Sequence, residues 1–540
     1  MWQFVFIICI LSIIFNLWVR LKRSGKLANA IPGPAPYPFF GNMLSFNISS
    51  NQKLWNVMRE ISRNYYPITR VWMTTQALFS IRHPADLEIL LTNRSTITKG
   101  FVYELLKPWL RTGILTSTGK KWHERRKILT QAFHFNILKK HMNIMSEQAI
   151  NLVEYLKKQG NESIQNFLPL ASNFTLNVIC ETSMGVDLNK LDIEDVEKYR
   201  KAIYDIGRIV VWRMPRPFIT DWMLKMVPFL QMNRDYNRAL THVHQFTDKV
   251  VQERREYHKK TNYKYLEDLT DDPDLTVDDV YTGRRRKLAL IDLLFLAEKN
   301  GLIDNAGIIE EVDNFMFAGH DTSATTMTFA SMLFAEHPDV QSKARAEVTK
   351  VLDKSNGNIG VQELKELQYL EQCIKETLRL YPPVSTIFRH TSSELQLKHA
   401  LIPRKSHVIC HLYDCHRDPH FWDNPDKYDP DNFSLENTQK RHPYAYLPFS
   451  AGPRNCLGNE SFDHCSFHTN NTNEMNVSGQ KFAMIEMKTF MAQILYNFHI
   501  EPVDLLKDVS FQADIVLRPM KAAHIKFVLI DQEKHLKKNL

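Results

Sequence analysis

The chain has 540 residues, 44% hydrophobic and 24% charged. This is the balance of a globular protein, at a length for which roughly three domains would be the loose expectation. A net charge of +8 suits a membrane-surface or acidic-partner face, but no basic tail or base-stacking module accompanies it, so nucleic acid is not expected as a partner. The seven cysteines are scattered, which excludes a disulfide framework and points to a reducing compartment.

In chain order, Met1 to Val19 holds only Gln3, Ser12 and Asn16 outside the apolar set, and Arg20, Lys22, Arg23 and Lys26 follow. About 20 apolar residues span a bilayer and a basic flank stays cytoplasmic. Residues 1–20 are therefore expected to be an uncleaved transmembrane anchor; a cleaved signal peptide would carry its charge before the apolar run. Residues 21–38 form a basic and proline-rich hinge, with Ile31 to Pro38 stiffened by fixed φ angles. After it no second linker or repeat appears, so 39–540 reads as one body.

Ala77 to Ile81 and Val408 to Leu412 are strand-like. Trp122 to Lys140 reads as a helix with a basic face. Glu267 to Arg286 is a polar stretch suited to a solvated loop. Ile308 to Glu336 is a long apolar helix that Pro338 ends. Leu364, Leu367, Leu370, Ile374 and Leu378 recur at helical spacing, and Arg417 to Pro443 is an irregular loop. The fold class is mainly α with small β-sheets (α+β).

Chemistry concentrates in Phe449-Ser-Ala-Gly452-Pro-Arg454-Asn-Cys456-Leu-Gly458, a glycine-rich loop that presents one cysteine beside an arginine. Free backbone N–H groups can hold such a sulfur as thiolate, and a thiolate is a ligand for haem iron. The alternative for a single cysteine is a buried inert thiol. Asp321 and Thr322 interrupt the long apolar helix, where Thr322 can bond back to the carbonyl of Ala318. Glu376 and Arg379 share one helix face.

These motifs resemble the cytochrome P450 superfamily in its order, from the first residues to the last helix. Glu311-Val-Asp-Asn-Phe-Met-Phe-Ala-Gly-His-Asp-Thr and Arg441-His-Pro-Tyr-Ala-Tyr-Leu-Pro resemble family 4, the fatty-acid ω-hydroxylase type. The resemblance implies the cytochrome P450 fold behind its anchor and haem b, with Cys456 as axial thiolate. It places Phe449 in the haem loop and Trp122, Arg126, Arg389 and Arg454 near the haem propionates. It gives Asp321 and Thr322 the handling of protons, and Glu376 and Arg379 a buried structural pair. Asn432 stands where a third member, an arginine, is usual, which weakens the expected rigidity of the haem loop. Ala318 replaces the glutamate that esterifies haem in some family-4 members, so no side-chain ester is expected. The implied function is a haem-thiolate monooxygenase acting on lipophilic substrates such as fatty acids. Its electrons come from NADPH-cytochrome P450 reductase, with cytochrome b5 as a second partner. The implied location is the endoplasmic reticulum membrane, catalytic domain facing the cytosol. Lys120, Lys121, Arg125 and Lys127 are candidates for a partner-docking face.

The family pattern is interrupted by 21 residues, Asn459 to Gly479, between the cysteine loop and Gln480-Lys-Phe-Ala. They read as a loop. Cys465, His464 and His468 inside it match no standard zinc spacing. Gly-Asn at one end and Ser-Gly at the other fit codons that contain splice sites, so a retained intron is one origin and a real outward loop another. The alternative function is a catalytically inactive, haem-deficient membrane protein of the same fold; another keeps haem with changed chemistry.

Overall fold

The computed structural model describes residues 2–46, 50–130, 135–188, 191–216, 219–226, 231–262, 289–457 and 478–530. The stretch Glu267 to Arg286 and most of the 459–479 segment lie outside them.

Helices α1 (Trp2–Leu21) and α2 (Arg23–Asn29) come first. Helix α3 (Asn51–Asn64) precedes strands β1 (Ile68–Met73) and β2 (Gln76–Ile81), then α4 (Pro84–Thr92). Next come α5 (Gly119–Thr130), α6 (Phe135–Lys158), β3 (Glu162–Asn166) and α7 (Phe167–Ile179). Thus the run expected as one helix, Trp122 to Lys140, falls on two elements, with 131–134 between them outside the described residues. Helices α8 (Ile193–Arg213), α9 (Gln231–Lys260) and α10 (Leu290–Lys299) lead to α11 (Asn305–Glu336). Helices α12 (Pro338–Leu352) and α13 (Gln368–Leu380) follow. Strands β4 (Thr386–His390), β5 (Leu395–Gln396), β6 (Leu401–Ile402) and β7 (His407–His411) precede α14 (Ser478–Asn497), β8 (Phe498–Pro502) and β9 (His524–Leu529).

The strands make three small sheets, ordered β1-β2-β7-β4, β3-β9-β8 and β5-β6. β2 and β7 pair in parallel, with Phe79 opposite Val408, across more than 300 residues of sequence. This joins the start of the body to the segment that leads into the cysteine loop. Mainly helical with small sheets, the architecture is the expected α+β class.

Helix α11 is buried on nearly every side because apolar residues surround it. Asp304 caps its start by accepting from Gly307 N–H, and Pro338 begins the next helix after the break at His337. Gly319 lets α7 pack directly on α11: a Cβ there would lie 2.6 Å from Ile179 Cδ1.

The expected anchor, residues 1–20, falls on helix α1. Among the described residues no helix is long and apolar enough to cross a membrane. Helix α1 occupies the position, but its second half docks on the body. The Asn16 amide, 1% exposed, donates to the carbonyls of Phe39 (3.3 Å) and Thr74 (3.0 Å). The Arg20 guanidinium lies over the Trp72 ring. The hinge is likewise fixed: Arg70 N–H and the Thr69 hydroxyl both donate to Pro32 O, and the Asn42 amide reaches Ala35 O.

Candidate haem-thiolate site

The cysteine loop is shaped by its own backbone. Ser450 N–H donates to Leu447 O, Asn455 N–H to Gly452 O, and Cys456 N–H to Phe449 O, each at 3.0 Å. Gly452 has φ +71, and a Cβ there would meet Leu91 O at 1.9 Å, so only glycine fits both the turn and the close approach.

The loop faces a cavity of about 320 Å³, within the usual range for small-molecule and cofactor sites. Cys456, Phe449, Trp122, Arg126, Arg389 and Arg454, the six cofactor-binding residues expected from sequence, all line it. So does Thr322, whose hydroxyl donates to Ala318 O at 2.9 Å as the sequence suggested. Its far wall is apolar, formed by Phe315, Ala318, Val384 and Ile387.

Sequence reasoning missed Lys99, which faces Arg389 in a short antiparallel bridge and also lines the cavity. Four cations therefore surround one end of it, and no carboxylate lines it among the described residues. Burial pushes the Lys99 ammonium well below its usual value, and Arg389, Arg454 and Arg126 push it further. Arg454 is pushed down to about 9, first by burial and then by Arg389. Its guanidinium donates to the carbonyls of Ile97, Ile114 and Ser117 and lies 4.2 Å from the Trp122 ring centre. Clustered cations of this kind suit a compact polyanion. Lys99, Arg126, Arg389 and Arg454 would suit the propionates of a haem, and Cys456 would supply the thiolate for its iron.

Cys456 Sγ opens to the cavity but is walled by protein. Burial raises the thiol pKa and Arg126 draws it back in part. A metal bound there must therefore displace the thiol proton, as thiolate ligation generally does.

Asp321 is placed differently from Thr322. It is 1% exposed, does not line the cavity, and is bound by Arg518 Nη2 at 2.7 Å. Glu376 and Arg379 are fully buried and joined by two hydrogen bonds of 2.7 Å. Arg379 also donates to the carbonyl of His416, whose Nε2 accepts from Leu447 N–H at the head of the cysteine loop. The Asn432 amide donates to Glu376 at 3.0 Å, so the unusual residue is hydrogen-bonded. The nearby positive charge is Arg441, which donates to Asn432 O and stacks 3.6 Å from the Trp422 ring centre. Of the proposed docking cations, Arg125 is buried against Glu311 and Lys121 is paired with Glu310, while Lys120 and Lys127 are exposed, Lys120 with Glu124 at 3.5 Å.

A cysteine sulfur opposite an apolar wall, with a cationic end between them, defines the haem-thiolate class. The chain belongs to the cytochrome P450 family, whose model matches residues 31–460. It is 38% identical to "Probable cytochrome P450 4p3" of Drosophila melanogaster over 96% of this chain and 95% of that one. It is 33% identical to "Cytochrome P450 4c3" of the same organism, over 95% and 92%. It is 34% identical to "Cytochrome P450 4V2" of Mus musculus, over 96% and 93%. The chain is thus a family-4-type P450 monooxygenase with haem b held by a cysteine thiolate. The match to the family model stops at the start of the 459–479 segment.

Proposed function

We propose that this chain hydroxylates lipophilic substrates of the fatty-acid class, with electrons from an NADPH-dependent reductase. The observation that carries the reading is the single cavity in which Cys456, four cations and an apolar wall meet. Bound haem supplies the activation of dioxygen that lets one oxygen atom enter a C–H bond. Arg126, Arg389, Arg454 and Lys99 would hold its carboxylates, with the Trp122 ring packed against Arg454. Phe315, Ala318, Val384 and Ile387 exclude water and orient an alkyl chain by contact. Thr322 offers its hydroxyl at the cavity wall. Asp321, one residue behind it, handles protons once it exchanges its bond to Arg518.

Membrane association at the endoplasmic reticulum, with the body on the cytosolic side, belongs to this reading. Leu11, Ile14, Phe15, Leu17 and Leu21 of α1 are exposed, as are Trp222 and Met226 on the short helix Asp221–Met226. Such surface is stable only against lipid or another apolar partner. Lys120 and Lys127 suit the acidic face of a reductase or of cytochrome b5.

The test is a reduced carbon-monoxide difference spectrum of the full chain and of a chain lacking Asn459 to Gly479. The red-shifted thiolate band is expected in both, and loss of the band in Cys456→Ala. A band in the shortened chain alone would favour the inactive, haem-deficient alternative for the full chain. Its absence from both would overturn the proposal.

A further inference from the structure

His83 ends the loop before α4, Asp86 stands in the first turn of α4, and His399 lies on the turn between β5 and β6. None of the three lines the cysteine cavity. Among the described residues they are the one group of metal-ligating side chains that offers three ligand atoms within 4.8 Å of one another. Asp86 and His399 are 313 positions apart, so the fold and not a local motif assembles them.

Asp86 is fully buried, and both of its oxygens are turned to His399. Oδ1 accepts from the His399 backbone N–H at 3.2 Å, and Oδ2 lies 2.6 Å from ring Nδ1. That ring is a cation only when protonated, so its neutral form leaves a buried carboxylate without its paired charge. The His83 ring meets the His399 ring edge-on at 4.6 Å. Its Nδ1 accepts from Ala85 N–H at 3.2 Å, the long end of the hydrogen-bond range and a bond that a metal can replace. Asp418 adds a second nearby carboxylate against one ammonium, Lys398. The Tyr66 and Phe421 rings flank His83.

We propose that His83, Asp86 and His399 bind a zinc ion. Two imidazoles and one carboxylate suit zinc, whereas calcium and magnesium call for oxygen ligands throughout. Zinc ligands at about 2.0–2.2 Å stand roughly 3.3 Å apart, so Asp86 Oδ2 and the His399 ring separate by less than about 1 Å and the His83 ring moves in. His399 can make that shift because it lies on a turn, with its side chain 30% exposed. The metal takes the place of the proton shared by His399 and Asp86. A neutral His399 then carries its N–H on the other nitrogen, and an imidazolium releases its second proton to solvent. Water reaches the exposed side and supplies the fourth ligand. The ion pins the β5–β6 turn to α4, whose last turn sets Leu91 O against Gly452 of the cysteine loop.

The full chain, dialysed against micromolar free zinc, tests this by elemental analysis and zinc-edge X-ray absorption. One zinc per chain is expected, bound by nitrogen and oxygen at about 2.0–2.2 Å, with imidazole scattering and no sulfur. Removing an outer partner of a metal ligand costs about 10–100-fold in affinity, so His399→Ala and Asp86→Asn should each weaken binding by at least that much. If Asp86→Asn fails to fold, His399→Ala on its exposed turn decides. Zinc should raise the thermal midpoint of the parent by several degrees and leave that of His399→Ala unchanged. His442→Ala, which removes the histidine beside Glu88 of α4, should bind zinc as the parent does. So should the chain lacking Asn459 to Gly479. No retained zinc, sulfur in the shell, or unchanged binding by His399→Ala overturns the inference, whatever the carbon-monoxide spectrum shows. Loss of zinc in His442→Ala or in the shortened chain places the ion elsewhere and overturns it too.

Discussion

Arg379 and Arg454 are both buried arginines that hold the cysteine loop, and their surroundings are built in opposite ways. Arg379 meets a carboxylate face to face, and its remaining donors reach the carbonyls of His416, Pro425 and Lys427. Arg454 reaches only carbonyls, and its charged neighbours are Arg389, Lys99 and Arg126, all of its own sign. The first cluster is complete in the polypeptide. The second gathers charges of one sign, as the proposed binding of a dianionic cofactor requires. Charge balance therefore separates structure from receptor where burial alone does not.

The largest effect should come from breaking the complete cluster. Arg379→Leu removes the charge that Glu376 meets face to face at zero exposure and leaves only the more distant Arg441, a loss of about 3–5 kcal/mol in the stability of the protein without haem. Denaturant unfolding measures it. Arg379→Lys should recover little, because an ammonium cannot reproduce two parallel bonds to one carboxylate.

Glu311 is an intermediate case, an acid only partly met. Its carboxylate accepts from Ile114 N–H at 3.0 Å, and Arg125 lies at 3.5 Å. Burial nevertheless pushes its pKa up from 4.5 to about 7. A raised folded-state value means that the group's stabilising contribution is fully present below pH 4.5 and is lost as pH rises to about 7. Asp313, pushed up to about 6 by burial, acts with the same sign. Unfolding free energies at the two ends of this window should show Glu311→Gln losing less stability with rising pH, by on the order of 3 kcal/mol. An unchanged slope would mean that Arg125 neutralises Glu311 more fully than the distance suggests.

How much of this was legible in the sequence follows the same division. The cysteine loop, the Thr322 back-bond and the Glu376–Arg379 pair are local patterns, within a turn of helix or a few loop residues. Their geometry is fixed by spacing, and the structure repeats it. Lys99 was invisible because its meaning arises from Arg389, far along the chain and brought opposite it by a short bridge. Asp321 and Thr322 looked like one unit, but adjacent helix positions point about 100° apart, which sends one to the cavity and the other to Arg518. The same rotation separates Arg125 from Arg126. On helix α1, composition does not reveal that Asn16 would find two carbonyls on the body.

Lys99→Met gives the smallest change and the sharpest contrast. In the protein without haem, Lys99 adds only repulsion and desolvation, offset by contact with the Tyr103 ring at 4.4 Å. Methionine keeps the apolar stem and removes the charge. The thermal midpoint of the haem-free form should therefore rise slightly, for a gain of about 1 kcal/mol. The haem-bound form should lose an interaction with a carboxylate, so its midpoint should fall and haem transfer to an acceptor protein should quicken. Opposite signs in the two forms are expected only of a cation kept for an absent partner. A fall in both would make Lys99 a structural residue, and the comparison with Arg379 would then fail at this position.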